Sequence, residues 1–168
     1  RPGEDMSTAE VIAPKPQVLL QLDGDPASGK FIDHLQFKGL TFAHTGWVMP
    51  DAAPVDGQAA AFLQDATVFA RGARNCTFEN CEVAHTGGYG MWLEHGCKDN
   101  RIVQCHVHDL GAGGIRLGHG TLPNEAQQQA ERNEIYNCFI HDGGHVFPAG
   151  VGVWVGVAVW VSVGVSVA

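Results

Sequence analysis

The sequence predicts an all-β fold, a right-handed single-stranded parallel β-helix in which each repeat forms one coil of a solenoid. Three observations carry this reading. Residues 75–96 and 99–120 are two copies of one pattern, placing Cys105 24 residues after Cys81. A period in the twenties with short alternating apolar runs marks stacked coils. Glycine is abundant, at 22 of 168 residues, and charged residues make up only 17%, which suits a turn-rich β protein. Between the apolar runs only residues 125–132 have any helical character, whereas a doubly wound α/β fold needs helices of about ten residues or more between its strands.

Residues 1–30 read as a lead-in and first strand. The lead-in is polar and carries Pro2, Pro14 and Pro16; residues 18–22 form a short strand closed by Asp23-Gly-Asp-Pro26, a strong turn signal. Residues 31–156 form the coils. In the first of these, Phe37 aligns with Phe78, Leu40 with Cys81, Phe42 with Val83, and His44-Thr-Gly46 with His85-Thr-Gly87. A fourth copy begins at Asn133. Three apolar columns result: Phe37/Phe78/Ile102/Ile135, Leu40/Cys81/Cys105/Cys138 and Phe42/Val83/Val107/Ile140. After the glycine-rich corner a second strand follows, whose inward columns read Ala61/Met91/Ile115/Val153 and Leu63/Leu93/Leu117/Val155.

Asn100 and Asn133 are expected to form an internal asparagine ladder at a corner, because Asn tolerates left-handed backbone and hydrogen-bonds along a stack. Spacings longer than 24 residues must leave the coil as loops, at 48–58 and 121–131, and such insertions often fall on a binding face. Residues 157–168 are a Val-rich tail that alternates Val with Gly, Ala, Ser or Trp. That is a strand period rather than the membrane helix of roughly 20 apolar residues. Ending there, the tail would leave an exposed edge prone to aggregation.

The net charge of −8, without clusters of Lys and Arg, argues against nucleic-acid and anionic-membrane partners. An odd count of five cysteines rules out complete intramolecular pairing. With no CxxC motif a zinc ribbon is not expected, and the cysteines read as buried thiols packing as small hydrophobes. The chain starts at Arg1 without a signal peptide, so either one has been removed or the chain is a piece of a longer protein.

Stacked coils lie about 4.8 Å apart, so a residue type repeated at one coil position becomes a ladder of side chains. Two adjacent columns read Ala43, Ala84, His108, His141 and His44, His85, Asp109, Asp142. Asp109 and Asp142 are therefore candidates for a carboxylate pair about 5 Å apart, near the separation of a retaining glycosidase pair. One would serve as acid and the other as base or nucleophile, with His108 and His141 in support. The structural alternative is a corner ladder in which Asp accepts backbone N–H bonds. A divalent-ion site built from His85, His108, His141 and the two aspartates is a weaker reading, since no local segment has metal-motif spacing; no metal and no cofactor are expected.

An outward column, Phe62, Trp92, Arg116 and Trp154, is expected to hold sugar rings on its aromatic faces, with Arg116 anchoring a carboxylate or hydroxyls. The alternative is that a loop covers it. His85 is placed with these substrate-binding residues. His95 and His119 read as turn residues, and Trp47 as a lid or a packing residue.

Several segments together resemble bacterial secreted right-handed β-helix proteins of the glycoside hydrolase family 141 type, over about residues 10–156. They are Val11-Ile-Ala-Pro14 with residues 19–24, Phe37-Lys-Gly-Leu-Thr-Phe-Ala-His44, His108-Asp-Leu-Gly-Ala-Gly-Gly-Ile-Arg116 and His141-Asp-Gly-Gly-His-Val-Phe-Pro-Ala-Gly-Val-Gly-Val-Trp154. The coil pattern itself is generic, being shared with pectate and alginate lyases. The resemblance implies hydrolysis of plant or algal polysaccharide linkages, with fucosidase and xylanase activities both represented. It implies a polysaccharide partner, a secreted, periplasmic or cell-surface location, and a catalytic pair of aspartates for which Asp109 and Asp142 are the matching positions. Such proteins continue through further coils beyond the position of Gly156, so the helix is expected to be truncated. Two other readings stay open: a polysaccharide lyase in which Arg116 or a histidine removes the proton α to a uronate carboxylate with Ca²⁺ neutralising the charge, and a non-catalytic glycan-binding or surface scaffold.

Overall fold

The computed structural model describes residues 5, 7–9, 11–48, 58–60, 65–156 and 159–165, the last segment by its backbone alone. Strand β1 (Leu20–Asp23) precedes the coils. The first coil holds β2 (Ile32–Asp33), β3 (Gln36–Lys38), β4 (Thr41–Ala43) and β5 (Ala66–Arg71), and the second β6 (Ala73–Arg74), β7 (Thr77–Glu79), β8 (Glu82–Thr86) and β9 (Tyr89–Leu93). The third holds β10 (Arg101–Val103), β11 (His106–Leu110) and β12 (Ile115–Leu117), and the fourth β13 (Glu131–Ile140) and β14 (Val153–Val155); β15 (Val159–Val165) follows. Equivalent strands of consecutive coils pair in parallel. One sheet runs β1-β5-β9-β12-β14 and another β3-β7-β10-β13-β11-β8-β4, with β13 long enough to serve two faces. This is the right-handed parallel β-helix expected from the repeat.

The corners explain the sequence grammar. Left-handed backbone occurs in three columns spaced five residues apart: His34/Asn75/Asp99/Arg132, Gly39/Asn80/Gln104/Asn137 and His44/His85/Asp109/Asp142, all with φ between 48° and 66°. Asn, Asp and Gly reach this region at low cost, which accounts for their recurrence. Between corners, two residues in five point inward. The register aligns Phe37, Phe78, Ile102 and Ile135, and separately Phe42, Val83, Val107 and Ile140. These are the columns expected from the repeat.

All five cysteines are buried thiols, as expected, and burial pushes the Cys97 thiol up to about 12. Leu40, at the head of the cysteine column, is 44% exposed, because among the described residues no strand covers β3 and β4 on that side.

The asparagine ladder is present, with a correction of one position. Asn100 and Asn133 are buried and face inward, and it is their predecessors, Asp99 and Arg132, that are left-handed. Asn100 Nδ2 donates to Asn133 Oδ1 (2.9 Å) and to Ala73 O (2.8 Å), Asn133 Nδ2 donates to Cys97 O (2.8 Å), and Asn100 Oδ1 accepts the Cys76 N–H (3.0 Å). The amides thus satisfy backbone groups that the corner turns away from the sheets.

The later inward columns also need correction. Val68 and Ala70 occupy the positions assigned to Ala61 and Leu63: Val68 pairs with Met91 and Ala70 with Leu93. Ala61 and Leu63 themselves lie outside the described residues, as does most of the 48–58 loop. The 121–131 loop forms a short 3-10 turn at Ala126–Gln128 and packs on the far corner, where Lys98 Nζ donates to Ala126 O and Gln127 Nε2 to Ala27 O. The Val-rich segment adopts the expected strand as β15, parallel to β13 with a register shift between Tyr136 and Cys138. Among the described residues no helix is long and apolar enough to cross a membrane.

Candidate functional site

The His/Asp column occupies the outer corner after β4, β8, β11 and β13. Its left-handed backbone turns each side chain outward, and stacking sets the repeat: the His44 and His85 rings lie 4.9 Å apart and nearly parallel. Asp142 sits one coil beyond Asp109, since the Leu110 N–H donates to Asp142 O (2.8 Å). Neither aspartate is in the core; their side chains are 43% and 71% exposed.

Their carboxylates are held by imidazoles rather than by turn N–H groups. Asp109 Oδ2 contacts His85 Nδ1, and Asp109 Oδ1 lies 3.2 Å from His145 Nε2. Asp142 Oδ2 is 2.9 Å from His141 Nδ1. His145 was not expected. It is delivered by residues 143–150, which fold back over the corner through Val146 N–H to Gly111 O (2.8 Å) and Gly144 N–H to Ala112 O (2.7 Å). Glycine is required where these backbones touch: a Cβ on Gly150 would collide with the Ala112 carbonyl.

The face beside this corner carries further polar groups. His106 and His108 alternate on β11 with the inward Val107, so both point outward. His108 Nε2 is 3.2 Å from Glu82 Oε1, while Thr41 Oγ1 donates to Glu82 Oε2 (3.0 Å). The contact with His108, followed by that with Thr41, holds the Glu82 carboxyl below its usual range. His106 Nε2 lies 2.8 Å from His141 Nε2. Burial, then the proximity of His108 and His141, lowers the His106 pKa. The ligand atoms of His106, His108 and His141 all fall within 4.8 Å of one another. His106 was missed by sequence reasoning, although His-Val-His on a strand is a readable signal of two imidazoles on one face.

The aromatic column differs from expectation. Phe69 takes the position assigned to Phe62, in register with Trp92, Arg116 and Trp154; Phe62 lies outside the described residues. Trp92 and Arg116 are 1% and 2% exposed, so the column is not an open platform at its centre. The Arg116 guanidinium lies 3.8 Å from the Trp92 ring centroid and 5.1 Å from that of Trp154, which is half-buried. Trp92 Nε1 donates to Gly118 O (2.8 Å). Tyr89, Trp92, Ala112 and Phe147 form a second apolar cluster outside the coil. Burial also removes Arg116 from reach as a base for lyase chemistry.

An open cleft of about 260 Å³ lies next to the His/Asp corner, lined by Trp47, Val48, Gly87, Tyr89 and Phe147 among others. Trp47 is 48% exposed and meets Phe147 edge to face at 5.8 Å. His85 and His145 precede Gly87 and Phe147 by two residues each, so the residues that grip Asp109 lead directly into the cleft wall.

Residues 28–156 match the family model for the right-handed β-helix region. No curated protein matches the chain. A solved structure of a glycoside hydrolase matches with a TM-score of 0.77 and 20% sequence identity, covering 96% of this chain and 34% of the hydrolase. The chain thus spans about a third of that protein's length, and at this identity the likeness is one of fold.

Proposed function

The chain belongs to the right-handed β-helix family, and we propose that it is a carbohydrate-active member that hydrolyses glycosidic linkages of a polysaccharide, with Asp109 and Asp142 as the carboxylate pair. The observation that carries the reading is the placement of these two carboxylates on successive coils of the outer corner, beside an open cleft with an exposed tryptophan. The coil step of about 4.8 Å puts the pair near the ~5–5.5 Å of a retaining mechanism. Asp109, gripped on both oxygens by His85 and His145, is fixed in position and suited to the role of nucleophile. Asp142, more exposed and bound to His141 through Oδ2, is suited to protonating the leaving oxygen and then activating water. Trp47 takes over from Trp92 as the ring on which a sugar stacks. A polymer substrate of this kind places the protein outside the cytoplasm, secreted, periplasmic or on the cell surface. The likeness in fold to a solved glycoside hydrolase supports the substrate class.

The test is reducing-sugar release from plant and algal polysaccharides by the full protein. Asp109→Asn and Asp142→Asn should each lower the rate by about 10²–10⁴-fold, with the product's anomeric configuration retained in the wild type. Release unchanged in either variant overturns the assignment. Unsaturated, ultraviolet-absorbing products would mean a lyase, and glycan binding that survives both substitutions without any release would mean a scaffold.

A further inference from the structure

Three imidazoles converge beside the corner without a role in holding Asp109. His106 and His108 project from one face of β11, and His141 meets them from the next coil. His106 Nε2 and His141 Nε2 face each other at 2.8 Å. Two ring nitrogens at that distance accommodate one proton between them or a cation shared by both, because two N–H groups there would clash. The rings are fixed on their flanks: His106 stacks on His108 (4.0 Å between centroids) and Phe139 packs against His141 (4.3 Å).

The outer positions are supported as metal-bound histidines usually are. His141 turns Nε2 inward to the cluster while its Nδ1 meets Asp142 Oδ2 at 2.9 Å, and Glu82 Oε1 lies 3.2 Å from His108 Nε2. Carboxylate–histidine pairs of this kind orient ligand rings and raise their basicity.

We propose that His106, His108 and His141 form a binding site for one divalent transition-metal ion of the zinc, copper or nickel class, which clamps the third coil to the fourth. Nitrogen donors on an ion about 2.0–2.1 Å away stand about 3.3 Å apart in tetrahedral geometry. The 2.8 Å separation of His106 and His141 is slightly tighter, and the span of the cluster, up to 4.8 Å, is wider by as much as about 1.5 Å, so ring rotations must draw the three donors together on the ion. Imidazole donors select these metals over Ca²⁺ and Mg²⁺, which prefer oxygen cages. Further coordination positions would be filled by water. The site goes beyond the hydrolase reading and does not rest on it.

The experiment uses the purified protein stripped with EDTA. Zn²⁺ titration should show one equivalent bound and a rise in Tm, because the ion binds two coils held together only in the folded state. With Cu²⁺, electron paramagnetic resonance should show coupling to several imidazole nitrogens. His106→Ala should weaken Zn²⁺ binding beyond the ~10–100-fold expected for loss of a supporting carboxylate, as tested in parallel by Asp142→Asn. His34→Ala, on a separate exposed corner, should bind as wild type. If circular dichroism shows that His106→Ala does not fold, His106→Gln takes its place. Zn²⁺ binding unchanged by loss of His106, a Cu²⁺ spectrum without nitrogen coupling, or equal competition by Ca²⁺ overturns the site. Sugar release is scored separately: metal binding without release sinks the hydrolase alone, and release without metal binding sinks the metal site alone.

Discussion

Two columns of this solenoid both face away from its core, yet only one reaches solvent at its middle. The column Phe69/Trp92/Arg116/Trp154 lies outside the sheet of β5, β9, β12 and β14, but its middle members are as buried as the inward residues. The column Ala84/His108/His141, with the corner residues His85, Asp109 and Asp142 beside it, remains partly open. The difference is what folds over each. Residues 143–150 return across the corner and bring Phe147 onto Tyr89 and Trp92, making a second apolar cluster. The same segment passes over the His/Asp column only far enough to add His145 to Asp109. In a solenoid, outward orientation is set by the coil, whereas exposure is set by the loops.

The comparison can be broken most easily on the covered side. Trp92→Ala should cost about 3–5 kcal/mol, the usual range for truncating a fully buried large aromatic, read as a lower denaturation midpoint at unchanged slope. A cost below about 1 kcal/mol would mean that the column is not a core. On the open side, Asp109→Asn should change stability by no more than about 0.5 kcal/mol, since the side chain is 43% exposed and Asn fits the same left-handed backbone. A large loss of both activity and stability in that variant would recast Asp109 as a structural corner residue.

The smallest effect concerns the rim of the covered column. Burial, then the proximity of His95, holds the His119 imidazole below its usual 6.5, and its ring stacks toward Trp92 at 6.2 Å. The unfolded chain therefore binds this proton first as pH falls. The stability from a neutral His119 is complete above pH 6.5 and declines through the window between 6.5 and the lower folded value. His119→Gln should flatten the fall of Tm over that window while leaving Tm above it little changed. An identical pH profile in the variant would show that His119 is equally solvated in both states.

Much of the fold was legible because a β-helix repeats its register. The 24-residue step from Cys81 to Cys105, with period-two alternation around it, is enough to align Phe78 with Ile102 and Val83 with Val107, and the ladders have that register. The step fails where copies are 41 residues apart. There the sequence offered Ala61 and Leu63 for places that Val68 and Ala70 take, because an insertion leaves the strand after it without a fixed offset. The asparagine ladder was legible from composition, but its phase was not: an amide that must cap inward backbone groups follows the left-handed residue instead of occupying it.

For the candidate site, the sequence by itself determined the column His44, His85, Asp109, Asp142, because a corner position recurs with the coil and side chains at that position must stack. It also contained His106, through the alternation His-Val-His. Only the tertiary structure decided that His145 reaches Asp109, that Trp47 rather than Trp92 borders the opening, and that Arg116 is enclosed. Those facts depend on how residues 143–150 cross from one coil to another. Contacts between a loop and a distant coil have no period, so no repeat in the sequence records them.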